Sequence, residues 1–150
     1  MLYTPKKNKF IENQYIMDVE SFRDFCLSFP VVTEGLPFGE DTLVFKVEGK
    51  MFALINLKKS DSFNVKCTPE KAVELREKYD CVKAGYHMNK KHWNTIYFGG
   101  IYSEFESSLT EKQLKHWIRH SYQLVVSKLP KKIRVVLQAE LEKMNSENDQ

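Results

Sequence analysis

Val19, Phe22, Cys26 and Phe29 recur at helical spacing behind Asp18, with Phe25 at the edge of their face. Asp18 is a good N-cap and Pro30 a stop, so a first helix is predicted between them. Gly and Pro punctuate Glu34–Gly39, which therefore reads as a loop and not a strand. Thr42–Val47 and Lys50–Leu57 are rich in strand formers and separated only by Glu48-Gly49, the pattern of a hairpin. Lys58–Asp61 turns the chain again, and Ser62–Cys67 continues the meander. Thr68-Pro69-Glu70 supplies a cap, a proline at the first helical position and an acid in the first turn. The helix it opens runs to about Tyr79, with Ala72, Val73, Leu75 and Tyr79 available for burial.

Val82–Ala84 and Trp93–Phe98 form two further predicted strands around the connector Gly85–His92. Thr110-x-x-Gln113 is a capping box, opening a long helix that Pro130 ends or kinks. Ile133, Leu137 and Leu141 mark a last helix from Lys131 to about Met144. Residues 1–16 lack periodicity and are expected to be a partly ordered arm, and Asn145–Gln150 a frayed polar tail. Strands and helices alternate without a linker or repeat, so 1–150 is read as a single α+β domain with its core over 18–134.

Composition narrows the class. The 150 residues are 42% hydrophobic and 13% aromatic, enough bulk for a core and against disorder. No apolar run approaches the roughly 20 residues of a membrane span, so no membrane partner is expected. The N-terminal lysines precede no apolar stretch, unlike a signal peptide. Cys26, Cys67 and Cys81 are odd in number and lack C-x-x-C spacing. They are read as reduced thiols of a cytoplasmic protein, with Cys26 buried in the first helix.

The net charge of +3 conceals a segregation. Residues 81–98 carry Lys83, Lys90 and Lys91 without an acid; residues 112–134 carry Lys112, Lys115, Arg119, Lys128, Lys131, Lys132 and Arg134, also without one. Those segments hold +10 and the remainder −7. On the long helix Leu114, Trp117, Ile118, Val125 and Leu129 share one face, opposite Lys112, Lys115, His116 and Arg119. Brought together in space, the two segments would form a cationic surface suited to phosphates. Apart, they would be ordinary solvated faces.

The densest chemistry lies in Gly85-Tyr-His-Met-Asn-Lys-Lys-His-Trp-Asn-Thr95. Its lysines suit phosphates, Asn89 and Asn94 suit phosphate or base edges, and Tyr86 or Trp93 could stack on an exposed base. Trp93 and Met88 are nonetheless expected in the core, with His87 and His92 orienting the loop through hydrogen bonds. His116 and His120 stand at i,i+4, but Trp117 occupies the place of the catalytic glutamate, and Cys81 and His92 are the only further ligands in view; no metal is expected. Nucleophile elbows and Gly-rich phosphate loops are absent, so neither an enzymatic role nor a cofactor is expected.

Leu36-Pro-Phe-Gly39, Val44-Phe-Lys-Val47 with Gly49-Lys-Met-Phe-Ala53, Val65-Lys-Cys67 before Pro69-Glu70, the Gly85–Trp93 string, and Ser121-Tyr122 ahead of Leu129-Pro-Lys-Lys132 together resemble the MmcQ/YjbR family over about Asp18 to Arg134. The resemblance implies a CyaY-like (frataxin-like) two-layer sandwich, an antiparallel sheet packed against helices. It also implies DNA binding through a double-wing arrangement of hairpins, with Lys90, Lys91, His92 and Trp93 in one basic loop and Lys131 and Lys132 in a later basic stretch. Frataxin's iron-binding ridge needs clustered carboxylates, whereas Asp18, Glu20 and Asp24 are interleaved with Arg23. The leading expectation is a monomeric DNA-binding protein using Lys83, His87, Lys90, Lys91, His92, Asn94, Lys112, Lys115, Arg119, Lys131 and Lys132. The alternative is a small-molecule or protein-interaction module with a pocket of Phe38, Tyr86, His87 and Trp93.

Overall fold

The structure is a computed structural model describing residues 17–99 and 107–148; the expected N-terminal arm falls outside these residues. Helix α1 spans Val19–Leu27. Its capping box is reciprocal: the Ser21 amide donates to the Asp18 carboxylate at 2.8 Å and the Asp18 amide to the Ser21 hydroxyl at 2.9 Å. Strands β1 (Val32–Gly35), β2 (Thr42–Val47), β3 (Lys50–Asn56) and β4 (Ser62–Lys66) follow, then α2 (Pro69–Lys78), β5 (Val82–Ala84), β6 (Trp93–Tyr97), α3 (Glu111–Ser127) and α4 (Lys131–Asn148). The strands make one six-stranded sheet in the order β1-β2-β3-β4-β6-β5, antiparallel at every junction. The fold is thus α+β, an antiparallel sheet packed against helices.

Four expectations need correction. Glu34 and Gly35, the first two residues of the expected loop Glu34–Gly39, belong instead to the edge strand β1, which pairs with β2. Arg23 fastens it from α1 by a bidentate bond to Glu34, at 2.8 and 2.6 Å, a long-range tie that local punctuation does not reveal. Helix α4 runs on through the expected tail to Asn148, since Asn145–Asn148 contains no Gly or Pro to break it. Thr68 occupies the N-cap of α2 without a side-chain capping bond. Val73 on that helix is exposed, whereas Ala72 and Leu75 are buried.

One face of the sheet is covered by helices. Phe22 of α1 stacks on Phe63 at 4.8 Å and meets Phe45 edge-on at 5.6 Å. Tyr122 of α3 packs on Phe29 and Phe52, and its hydroxyl donates to the Pro30 carbonyl at 2.7 Å. Ala72 and Leu75 of α2, and Leu137 and Leu141 of α4, complete the same core. Beside the end of the β3–β4 ladder, Ser121 takes over the pairing: its buried hydroxyl donates to the Phe52 carbonyl and accepts from the Lys66 amide. All three thiols are free and buried, Cys26 as expected. Burial pushes the Cys26 thiol well up and Cys67 up to about 12, so both stay protonated.

Candidate functional site

The opposite face of the sheet carries a smaller cluster, Val44, Leu54 and Trp93, with Met51 and Met88 packed against it. Alternation along the strands sends Phe45, Ile55, Phe63 and Ile96 to the helices and leaves a crosswise row of Val44, Leu54, Asn64 and Thr95 on the open side. Thr42 opposite Asn56 and Ser62 opposite Tyr97 extend it. Two loops flank this surface. The β1–β2 loop raises Phe38, 63% exposed, and the β5–β6 connector raises Tyr86, 66% exposed. Between them lies a cavity of about 710 Å³, lined by both rings, by His87, Met88 and Lys59, and by Thr42, Asn56, Asn64 and Thr95 among others; none of its lining side chains is acidic.

The connector is held as a fixed platform. Gly85 is required where it stands, because a Cβ there would lie 2.8 Å from the Trp93 Cβ and 2.9 Å from the Trp93 carbonyl oxygen. Its amide donates to that carbonyl at 2.8 Å. Asn89 accepts the Lys91 amide on its side chain and the Trp93 amide on its carbonyl, both at 2.9 Å. From α2, Arg76 donates to the Asn94 side chain at 2.7 Å and to the Lys90 carbonyl. Lys90 turns its ammonium back to the Gly85 carbonyl at 3.3 Å. The Tyr86 amide donates to the Thr95 hydroxyl at 3.1 Å, and that hydroxyl donates to Asn64 Oδ1.

Cations meet aromatic rings on this face. Lys59 Nζ lies 5.6 Å from the Tyr86 ring centre and Lys66 Nζ 5.6 Å from that of Trp93, within cation–π reach. Among the described residues neither lysine has a carboxylate partner. The Asn56 side chain places Lys59 by accepting the amides of Lys58 and Lys59 at 2.9 and 2.8 Å.

The structure sorts the expected residues into separate groups. His87, Tyr86 and Phe38 line one cavity, and Trp93 packs beside Leu54, which also lines it. Lys83, Lys90, Lys91 and His92 are exposed on β5 and the connector. Asn94 faces the helices and is fully buried, donating to the Ala72 carbonyl while accepting from Arg76, so it is a structural residue and not a surface contact. Trp93 and Met88 pack as expected. Neither His87 nor His92 forms a side-chain hydrogen bond among the described residues; His87 instead tilts against Tyr86, with ring centres 4.0 Å apart.

The cations of α3 do not join this surface. Lys115 pairs with Glu111 at 2.9 Å and sits 5.3 Å from the Phe25 ring, with the Arg119 guanidinium 5.6 Å away from the same ring. Lys112, Lys115 and Arg119 border a groove with Ser21, Asp24 and Phe25 of α1, on the helical layer. Lys131 and Lys132 open α4, which leans on α3 in that same layer. Lys112, Lys115 and Arg119 thus belong to the helical layer, whereas Lys83, Lys90 and Lys91 belong to β5 and the connector of the sheet. His116 and His120 stand 6.4 Å apart on α3, away from Cys81, which neighbours Ser107 and Ser108, and from His92. Burial, then Arg119 and Lys71, hold the His116 imidazole below its ordinary pKa; burial, then His116 and Lys71, do the same for His120.

Sequence reading missed Lys59, Lys66, Asn56, Asn64 and Thr95. Period-two alternation in Ser62-Phe-Asn-Val-Lys66 would have put Ser62, Asn64 and Lys66 on one face, and the same rule separates Thr95 from Asn94.

Fold and site define a small α+β protein with one helix-covered and one open sheet face, the open one carrying paired lysines and aromatic rings. The YjbR family model matches residues 27–124, and the chain belongs to that family. It is 36% identical over 114 residues to the uncharacterised protein YbdF of Escherichia coli O157:H7, covering 75% of this chain and 88% of that one. To the uncharacterised protein YjbR of Escherichia coli K12 it is 28% identical over 122 residues, 81% of this chain and 98% of the relative. The crystal structure of a Deinococcus radiodurans protein with a DUF419 domain superposes with a TM-score of 0.72 at 33% identity, covering 83% and 91% of the two chains. A Pseudomonas syringae protein gives 0.57 at 27% identity, covering 72% and 98%. Among the described residues no helix is long and apolar enough to cross a membrane.

Proposed function

We propose that this protein is a non-enzymatic, monomeric nucleic-acid-binding protein of the cytoplasm, and that its contact surface is the open face of the sheet together with the Gly85–His92 connector. One observation carries the reading: Lys59 over Tyr86 and Lys66 over Trp93, at the rim and floor of a surface whose cavity has no acidic lining. Lysines neutralise phosphates and release counterions, while exposed rings accept bases on their faces. Lys91, exposed on the connector, extends the cationic track. The cations of α3 and α4 are not part of the site, because they border the helical layer and Lys115 is already paired.

A salt titration of DNA binding tests this. Replacing Lys59, Lys66 or Lys91 by Ala should flatten the slope of log K against log salt by about 0.7–0.9 per lost phosphate contact. Lys112→Ala and Lys115→Ala should leave it unchanged. Absence of binding to both single-stranded and duplex DNA at low salt overturns the proposal, as does a slope carried by the α3 lysines alone.

The cavity itself favours a second reading, a module for a small molecule without nucleic acid. Its volume of about 710 Å³ fits the usual range of small-ligand sites, roughly 300–1,000 Å³.

A further inference from the structure

The cavity and the cation–aromatic pairs share one surface, and their chemistry specifies a ligand. We infer that the cavity seats a single nucleotide unit, its base stacked on the rim rings of Phe38 and Tyr86 and its phosphate at the Lys59 ammonium. This deepens the nucleic-acid reading and rests on the contact surface which that reading assigns.

Three features lead to this ligand. Phe38 and Tyr86 are each about two-thirds exposed, yet they rise on separate loops to the mouth of the same cavity. An aromatic face offered there receives a flat π-system, a contact that any base satisfies. Lys59, 5.6 Å from the Tyr86 ring centre, puts a positive charge beside the stacking surface, and none of the lining side chains opposes an anion. A base flanked by a phosphate matches both features at once.

The floor supplies the third feature. Thr95 accepts from the Tyr86 amide and donates to Asn64 Oδ1, which fixes the Asn64 side chain with its Nδ2 hydrogens uncommitted. Asn56 likewise spends its Oδ1 on the amides of Lys58 and Lys59. Among the described residues, neither amide nitrogen donates to a protein group. The cavity thus offers hydrogen-bond donors to a ligand rich in acceptors, such as the carbonyl edge of thymine or uracil. In a duplex that edge is paired and both base faces are stacked, so the base must come from a single strand or a free nucleotide. The two sources share the same chemistry.

The test uses the full chain with three probes: a fluorescein-labelled oligothymidylate, a labelled duplex of equal length, and thymidine 5′-monophosphate followed by amide chemical shifts. Oligothymidylate should bind more tightly than duplex at equal salt. Phe38→Ala and Tyr86→Ala should each weaken oligothymidylate binding about tenfold or more without changing its salt slope, and change duplex binding by less than about twofold. Because both rings are exposed, both variants should keep the thermal midpoint of the parent, which excludes misfolding. Lys59→Ala should weaken oligothymidylate and also flatten its slope. Duplex binding without oligothymidylate binding, or oligothymidylate binding indifferent to both aromatic substitutions, overturns the nucleotide seat while the nucleic-acid reading stands. Shifts at Tyr86 and Asn64 with the monophosphate, but no strand or duplex binding, keep the seat and overturn the nucleic-acid reading. Binding of none of the three overturns both.

Discussion

The two faces of the sheet differ in what they do with aromatic side chains. On the helix-covered face Phe22, Phe45, Phe52, Phe63 and Tyr122 are fully buried, Phe22 against Phe45 and Phe63, and Tyr122 against Phe52. On the open face Trp93 is buried, while Phe38 and Tyr86 project into water. The same residue class thus supplies cohesion on one side and a solvent-facing surface on the other. The largest expected effect follows directly. Phe22→Ala should destabilise the protein by about 3–5 kcal/mol, because the vacated volume is walled by strands and helix and cannot collapse. Phe38→Ala and Tyr86→Ala should remain within about 0.5 kcal/mol of the parent. Urea unfolding midpoints measure all three. A Tyr86→Ala loss as large as that of Phe22→Ala would show that the open face is a second core.

A smaller effect sharpens the same contrast at the boundary between the layers. Ser121 is a buried hydroxyl on an otherwise apolar helix face, and it bonds the Phe52 carbonyl and the Lys66 amide of neighbouring strands. Ser121→Ala leaves both backbone groups without that partner and should cost about 1–3 kcal/mol by chemical denaturation. Lys66 also carries the ammonium that faces Trp93 on the open side. The substitution should therefore weaken DNA binding as well as folding, whereas Phe22→Ala affects binding only through the unfolded fraction.

Much of this architecture is legible locally because its signals are local. Thr110 and Gln113 form both bonds of the capping box, at 3.2 and 2.9 Å. Glu48 and Gly49 both adopt positive φ, 49° and 77°, as a two-residue hairpin turn of the mirror-image type requires. Strand β1 was not legible: its four residues include Glu34 and Gly35, and only pairing with β2 and the Arg23 tie make it a strand. The site was half legible. The connector announces itself by composition, but its partners Asn64, Thr95 and Lys66 come from strands joined only by sheet register. Segregated charge along the chain gave no distance between Lys91 and Lys115, and the fold sets them on different layers.

The smallest expected effect assigns a pH dependence to the helical layer. His120 on α3 is half-buried, and its Nε2 has no partner among the described residues. Burial, then His116, then Lys71 hold its pKa below the ordinary 6.5. In the unfolded chain the imidazole takes up a proton as pH falls through about 6.5, while in the folded chain it resists until a lower pH. The unfolded state therefore binds more protons in that window, and stability declines with acidification between the two pKa values. Above the unfolded value the effect vanishes. Glu34, held below its ordinary 4.5 by Arg23, has the same sign but acts only at more acid pH, so the two separate. Thermal midpoints of the parent should fall between about pH 7 and about pH 5.5, and His120→Gln should flatten that fall while leaving DNA binding at pH 7 unchanged. A His120→Gln profile that still tracks the parent would place the proton uptake elsewhere, and loss of binding at pH 7 would carry the helical layer back into the interface.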